Sequence, residues 1–199
     1  MTKNGQSKNK VIALTGGIGS GKSQALKILE QAGETVLSCD PITAELYNRA
    51  DVMAWLVQKF PDCIMDDGIT PDKKKISSVV FANKSKLAQL TDFLTPLVLD
   101  ECLKRAKAFN KRVFVEVPLL FEQKAQNFFD GVIIVTRDRT ERIKSVMARN
   151  NLTEQQVLER ISSQFDYDSA DLSNYVVITN DGSLEQLKDN LLTTINSLY

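Results

Sequence analysis

Residues 16–23 read Gly-Gly-Ile-Gly-Ser-Gly-Lys-Ser and fit the pattern G-x-x-x-x-G-K-[ST]. Glycines at these spacings let the main chain wrap closely around a polyphosphate with its N–H groups turned inward. A helix amino end just beyond them adds partial positive charge. The stretch Gly17, Ile18, Gly19, Ser20, Gly21, Lys22, Ser23 and Gln24 is therefore expected to hold a nucleoside triphosphate. Lys22 would lie against the β- and γ-phosphates, and the Ser23 hydroxyl would ligate Mg2+.

Other charged residues are placed where such chemistry needs them. Asp40 follows the apolar run 35–39 and precedes Pro41, so it either accepts a hydroxyl proton during phosphoryl transfer or caps the next helix. Glu116 interrupts the apolar run "VFVEVP". A buried carboxylate there requires a partner, either a salt bridge or a water-mediated hold on Mg2+. Behind it "PLLFE", Pro118, Leu119, Leu120, Phe121 and Glu122, turns sharply and offers either a floor for an acceptor pocket or plain core. Residues 137–160 then carry Arg137, Arg139, Arg142, Arg149 and Arg160. Arg142 and Arg149 are two helical turns apart and share a face, so the cluster reads as a basic lid over a triphosphate, although any one of these arginines alone reads as a solvated surface residue.

These residues need a frame. Short apolar runs bounded by turn residues recur at 11–15, 35–39, 112–117, 131–136 and 175–179 and read as buried parallel strands. Helical patterns occupy 21–32, about 42–59, 84–108 with a break at Pro96, about 138–149, 153–164 and the end of the chain from Ser183. Thr153 with Gln156, and Ser183 with Gln186, have the capping-box form. Strand–helix alternation implies an α/β fold, a doubly wound, mostly parallel five-stranded sheet. The usual winding sets Asp40 at the sheet's carboxyl edge, beside the phosphate-loop strand. The mostly helical residues 51–109 interrupt the alternation, so 10–50 and 110–199 are expected to form the nucleotide-binding core and 51–109 an inserted lobe. Lys73, Lys74 and Lys75 read as a solvated face.

Composition narrows the chemistry. The chain has 199 residues and no histidine, which removes imidazole bases, Ser-His-Asp triads and His-ligated metals. No D-x-x-G occurs, and the Asn83-Lys84 pair is followed by Ser85-Lys86, so the switch and guanine motifs of a GTPase are missing. Lys plus Arg and Asp plus Glu both total 25, leaving no bulk positive field for nucleic acid or an anionic membrane. Cys39, Cys63 and Cys102 have neither disulfide nor zinc spacing and read as reduced thiols. No run is long and apolar enough for a membrane span, and the start of the chain lacks a secretory pattern, so a soluble cytoplasmic protein is expected.

"ALTGGIGSGKS" (13–23), "PLLFE" (118–122), "ARNNLTEQQVLERISSQ" (148–164) and "VVITNDGSLEQL" (176–187), in that order, resemble the dephospho-coenzyme A kinase family from about Val11 to Leu192. The resemblance implies a P-loop kinase fold with a helical coenzyme-binding lobe at 51–109 and a mobile lid at about 138–170. The implied reaction moves the γ-phosphoryl of ATP, with Mg2+, to the ribose 3′-hydroxyl of dephospho-coenzyme A, the last step of coenzyme A synthesis. It implies Asp40 as base, Lys22 and Arg149 as catalytic groups, and the loop 17–24 with Arg149, Asn180 and Gly182 as the ATP site. Asp40, Thr95 and residues 118–122 are implied for the acceptor, and Ser23 and Glu116 (through water) for the metal; with no conspicuous exposed apolar helix in the sequence, a monomer is expected. Departures from the family pattern fall at Ser38 and Glu116, where Asp is usual, at Thr95 for His, and at Gln24 for Ser or Thr. The stretch 165–175 also lacks the basic residue usual after the lid. A kinase of another small hydroxylated acceptor, or a nucleotide-binding module with weakened catalysis, is the competing expectation.

Overall fold

Five apolar runs become five strands in the computed structural model, which describes residues 10–198. They are β1 (Val11–Thr15), β2 (Thr35–Ser38), β3 (Val113–Glu116), β4 (Gly131–Thr136) and β5 (Val176–Thr179). Their order is β2-β3-β1-β4-β5 and every pairing is parallel. β1 and β3 are buried along their whole length, which is why they read as unbroken apolar runs rather than alternating ones. One expectation is corrected by this order. β2 does not lie beside β1, because β3 is inserted between them, with Glu116 in register with Leu14 on one side and Ser38 on the other. The first crossover thus skips one strand position, leaving a slot that the chain fills only after its long helical excursion.

The helices are α1 (Lys22–Gln31), α2 (Cys39–Leu46), α3 (Ala50–Lys59), α4 (Lys73–Phe81), α5 (Lys84–Ala108), α6 (Arg139–Asn150), α7 (Glu154–Ser162) and α8 (Leu184–Leu198). Both expected capping boxes form. Thr153 accepts from the Gln156 amide while the Gln156 side chain returns to the Thr153 N–H, and Ser183 and Gln186 do the same. The helix expected over 42–59 is instead α2 and α3. Amides of Asn48 and Arg49 bond three residues back, to Glu45 and Leu46, which tightens and ends α2. The break expected at Pro96 does not occur. α5 runs through it, and Thr95 is a mid-helix residue. Proline's φ suits a helix, and the lost hydrogen bond and ring clash, about 3 kcal/mol, are offset by the stripe Leu90, Leu94, Val98, Leu99 and Cys102, all buried.

Two compact units result. Among the described residues, one comprises 10–38 and 105–198; the other is Cys39–Lys104, which already includes α2. In the first, Ile12, Leu14, Phe114, Ile133, Val135 and Ile178 of the sheet pack with Ala25 and Leu29 of α1 and Leu187, Leu191 and Ile195 of α8. Each large aliphatic enclosed this way contributes about 1.5–3 kcal/mol. Arg112 ties their edges by pairing with Glu34 and donating to the Ile195 carbonyl at 2.9 Å. The second unit gathers Val52, Leu56, Phe60, Cys63, Ile76, Val80, Leu90 and Leu94, with Trp55 stacked on Phe93 at 4.0 Å between ring centroids. Lys73, Lys74 and Lys75 are exposed at the start of α4, where Asp72 caps the amides of Lys74 and Lys75.

Candidate active site

The phosphate loop is held from three sides within the first unit. It leaves the buried end of β1, and Gly16, Gly19 and Gly21 take φ of 145°, 77° and 101°. Each of these three lies against other parts of the unit. A Cβ on Gly16 would stand 2.1 Å from the Val135 carbonyl oxygen, one on Gly19 2.8 Å from that of Arg142, and one on Gly21 2.2 Å from Asn180 Nδ2. Asn180 is itself buried, and its Nδ2 donates to the Ser20 carbonyl at 2.9 Å. Ser20 Oγ is enclosed without a hydrogen-bond partner among the described residues. Lys22 Nζ folds back onto its own loop, donating to the Gly16 and Gly17 carbonyls at 2.7 and 3.0 Å. Gln24 is exposed next to it.

Ser23, exposed at the first turn of α1, donates from Oγ to Glu116 Oε1 at 3.3 Å. Glu116 is only 8 % exposed, so the strand carboxylate has the partner its burial demands. A neutral hydroxyl and an anionic carboxylate side by side are hard oxygen donors of the kind Mg2+ takes together with phosphate oxygens. Among the described residues no group of three or more His, Cys, Asp or Glu would hold a metal ion by itself. The protein's share of a magnesium shell would therefore be Ser23 and Glu116, with phosphate supplying the remainder.

The segment behind α7 closes over the loop. Gln164 Oε1 accepts the Ile18 amide at 2.8 Å, and the Tyr167 hydroxyl meets Thr15 Oγ1 at 3.3 Å. Burial pushes the Tyr167 phenol up to about 12, partly offset by its hydrogen bond with Thr15, so it stays neutral at physiological pH. Phe121 stacks on Phe165 at 4.5 Å between centroids, and Glu122 Oε1 accepts the Phe165 amide at 2.8 Å. Of the "PLLFE" turn, Pro118 and Leu119 are partly exposed, whereas Leu120 is fully enclosed and anchors the turn instead of facing a ligand. Phe121 and Glu122 are the residues that clamp 165–167.

The arginine on the loop is Arg142. It is 3 % exposed, its Nη1 would stand 2.4 Å from a Cβ on Gly17, and its Nη2 donates to Asp168 Oδ2 at 2.6 Å. Arg149 lies about 10 Å further along α6 at 1.5 Å per residue, exposed, with Nε donating to Asn150 Oδ1 at 3.0 Å. Spacing alone marked the face these two share; burial singles out Arg142. Nothing in the sequence marks Gln164, whose partner Ile18 is remote along the chain. A Cβ on Gly182 would stand 2.1 Å from Gln186 Oε1. In the second unit, Asp40 is exposed in the first turn of α2 and so is not that helix's N-cap.

A phosphate loop whose serine meets a strand carboxylate, with a buried arginine against the loop, is suited to holding a nucleoside triphosphate. The family model described as dephospho-CoA kinase matches residues 10–186. The chain belongs to the dephospho-CoA kinase family. The dephospho-CoA kinase of Listeria innocua is 33% identical over 192 residues, covering 94% of this chain and 96% of its own. That of Helicobacter pylori (strain J99) is 34% identical, covering 88% and 91%. A crystal structure from Thermus thermophilus superposes with a TM-score of 0.82 at 29% identity, covering 97% of this chain and 100% of its own. Campylobacter jejuni dephospho-CoA kinase, at TM-score 0.70 and 24% identity, covers 96% and 97% and shows the same fold. Acinetobacter baumannii shikimate kinase, at TM-score 0.54 and 16% identity, covers 94% and 93% and has a similar fold. As a dephospho-CoA kinase family member the chain is an ATP-dependent phosphotransferase, and no described helix is long and apolar enough to cross a membrane.

Proposed function

We propose that this chain transfers the γ-phosphoryl group of ATP to the ribose 3′-hydroxyl of dephospho-coenzyme A, giving coenzyme A and ADP. One observation carries the reading: in a chain of this family the phosphate loop is complete, and its Ser23 hydroxyl meets the buried Glu116 carboxylate. Lys22 leaves the carbonyls of Gly16 and Gly17 and takes the β- and γ-phosphates. The amide donors at the start of α1 receive the phosphate oxygens. Ser23 would hold Mg2+ directly and Glu116 through water, and the ion would shield the phosphate charge. Asn180 and Gly182 border the adenine, Asn180 also bracing the loop through Ser20.

Asp40 accepts the proton of the attacking hydroxyl as the phosphoryl group moves. The lobe 51–109, Thr95, Pro118, Leu119, Phe121 and Glu122 serve the acceptor, and Arg149 of the lid 138–170 steadies the transferring group. The enzyme works as a cytoplasmic monomer. Ser38, standing where the family usually has Asp, is the strand neighbour of Glu116.

Steady-state kinetics with ATP-Mg2+ and dephospho-coenzyme A, against a panel of nucleosides and sugars, tests the proposal. Saturable formation of coenzyme A with far lower rates on the panel is expected. Absence of phosphorylation of dephospho-coenzyme A by a chain that binds ATP would overturn it.

A further inference from the structure

Arg142 is a buried cation that one partly exposed carboxylate does not satisfy. Its Nη2 meets Asp168 at 2.6 Å, while its Nε is enclosed with no hydrogen-bond partner among the described residues. A guanidinium has five donors in a planar fork that matches two oxygens of a carboxylate or a phosphate. Burying such a group half-satisfied is destabilising by itself. Its place explains the arrangement. Nη1 presses on Gly17, where the absence of a Cβ is what admits it, and the backbone of Arg142 presses on Gly19. The guanidinium is thus fixed against the loop that receives the polyphosphate.

The partner is built to let go. The Asp168 side chain is 39% exposed and lies 3.8 Å from a second cation, Arg139, whose own side chain is 57% exposed. The three residues line a cavity of about 310 Å³ together with Gln164 and Tyr167. The lining segment just before Asp168 is pinned: Gln164 to the Ile18 amide, Tyr167 to Thr15, Phe165 to Phe121 and Glu122. A side-chain rotation alone would thus let Asp168 change partner.

We propose that Arg142 is a nucleotide-phosphate ligand held ready by Asp168: when a triphosphate enters the loop, the Arg142 guanidinium exchanges the Asp168 carboxylate for phosphate oxygens, and Asp168 passes to Arg139. The proposal rests on the phosphoryl-transfer reading of this site and adds to it a second arginine, distinct from Arg149, and a positioning carboxylate that competes with the nucleotide. A competitor of this kind weakens apparent affinity by the fraction of molecules in which it occupies the arginine.

The test is calorimetric titration of the full chain with ATP-Mg2+ and, separately, with inorganic tripolyphosphate. Asp168→Asn is expected to tighten both about three- to tenfold, because the competing charge is gone. Arg142→Gln is expected to weaken both about tenfold or more, with Arg142→Lys in between. The deciding arm is the cycle: in an Arg142→Gln background, Asp168→Asn leaves affinity unchanged, because its effect acts through the arginine. Thermal melts of each variant confirm folding; if Arg142→Gln does not fold, the Arg142→Lys background serves for the cycle, with a reduced gain. Weaker or unchanged binding in Asp168→Asn, or the same gain with and without Arg142, overturns the proposal. A wild-type chain that binds both ligands but makes no coenzyme A would instead overturn the reaction assigned above and leave this inference standing.

Discussion

Replacing Gly21 by alanine isolates what the phosphate loop owes to its packing. Gly21 has φ of 101° and would place a Cβ 2.2 Å from Asn180 Nδ2, so two penalties are joined there. The left-handed backbone alone costs an L-residue about 1–2 kcal/mol. Displacing Asn180 breaks its 2.9 Å bond to the Ser20 carbonyl, and leaving such a buried group unpaired adds about 1–3 kcal/mol. Gly21→Ala is thus expected to destabilise the first unit by about 2–5 kcal/mol. Gly33 is the internal control. Its φ is 88° and nothing lies within 4 Å of its Cβ position, so Gly33→Ala carries the backbone penalty alone, about 1–2 kcal/mol. The assay is urea unfolding followed by far-UV circular dichroism, because the single tryptophan, Trp55, sits in the other unit and reports on that one. In an Asn180→Ala background the Gly21→Ala increment should shrink to the Gly33 value. If Gly21→Ala costs no more than Gly33→Ala, or if its cost is the same with and without Asn180, the loop is not braced in this way.

Asp40→Asn is expected to lower kcat by 100-fold or more, about 10²–10⁴ being typical of a lost general base, while the Kd for ATP stays within about threefold; unchanged turnover would return Asp40 to an ordinary first-turn helix residue. Arg149→Ala should lower kcat by about 10²-fold or more with little change in ATP affinity, and an effect confined to the melting temperature would remove it from the lid's chemistry. Tyr167 gives a pH prediction. Its folded pKa of about 12 lies above the unfolded value near 10, so no stability is lost below pH 10, and about 2–3 kcal/mol is lost as pH rises from 10 to 12. Burial raises Tyr47 as well, so absorbance titration at 295 nm should show late tyrosine steps of which Tyr167→Phe removes the last, and a titration complete by pH 10.5 would contradict the burial argument.

The elements that were readable in advance are those whose signal is local. β1 and β3 are enclosed along their length, so their residues must be apolar throughout, and Thr153 and Ser183 cap helices through residues three positions away. The phosphate loop was readable because its glycines serve main-chain geometry. What escaped was decided by contacts between distant segments. Strand order depends on which slot a crossover skips, and nothing in "TVLSC" says that β3 will enter beside it. Pro96 carries a strong local penalty against helix, yet α5 continues because a buried stripe extends on both sides of it.

The same distinction runs through the site. Lys22 and Ser23 are legible because a phosphate imposes their spacing, and Glu116 because a charge inside an apolar strand demands a partner. Arg142 has no such mark: among five arginines in one stretch it differs only in being enclosed, and that is settled by Gly17 and Gly19, which lack the side chains that would exclude it. The two glycines thus carry a second constraint beyond wrapping a polyphosphate. Gly17 has a φ that any residue can adopt, so backbone freedom does not explain it. Access for the Arg142 guanidinium does. An alanine at position 17 would leave the loop's conformation allowed and push the cation out of its place, which separates the loop's shape from its charge in a way that no substitution at Gly16, Gly19 or Gly21 can.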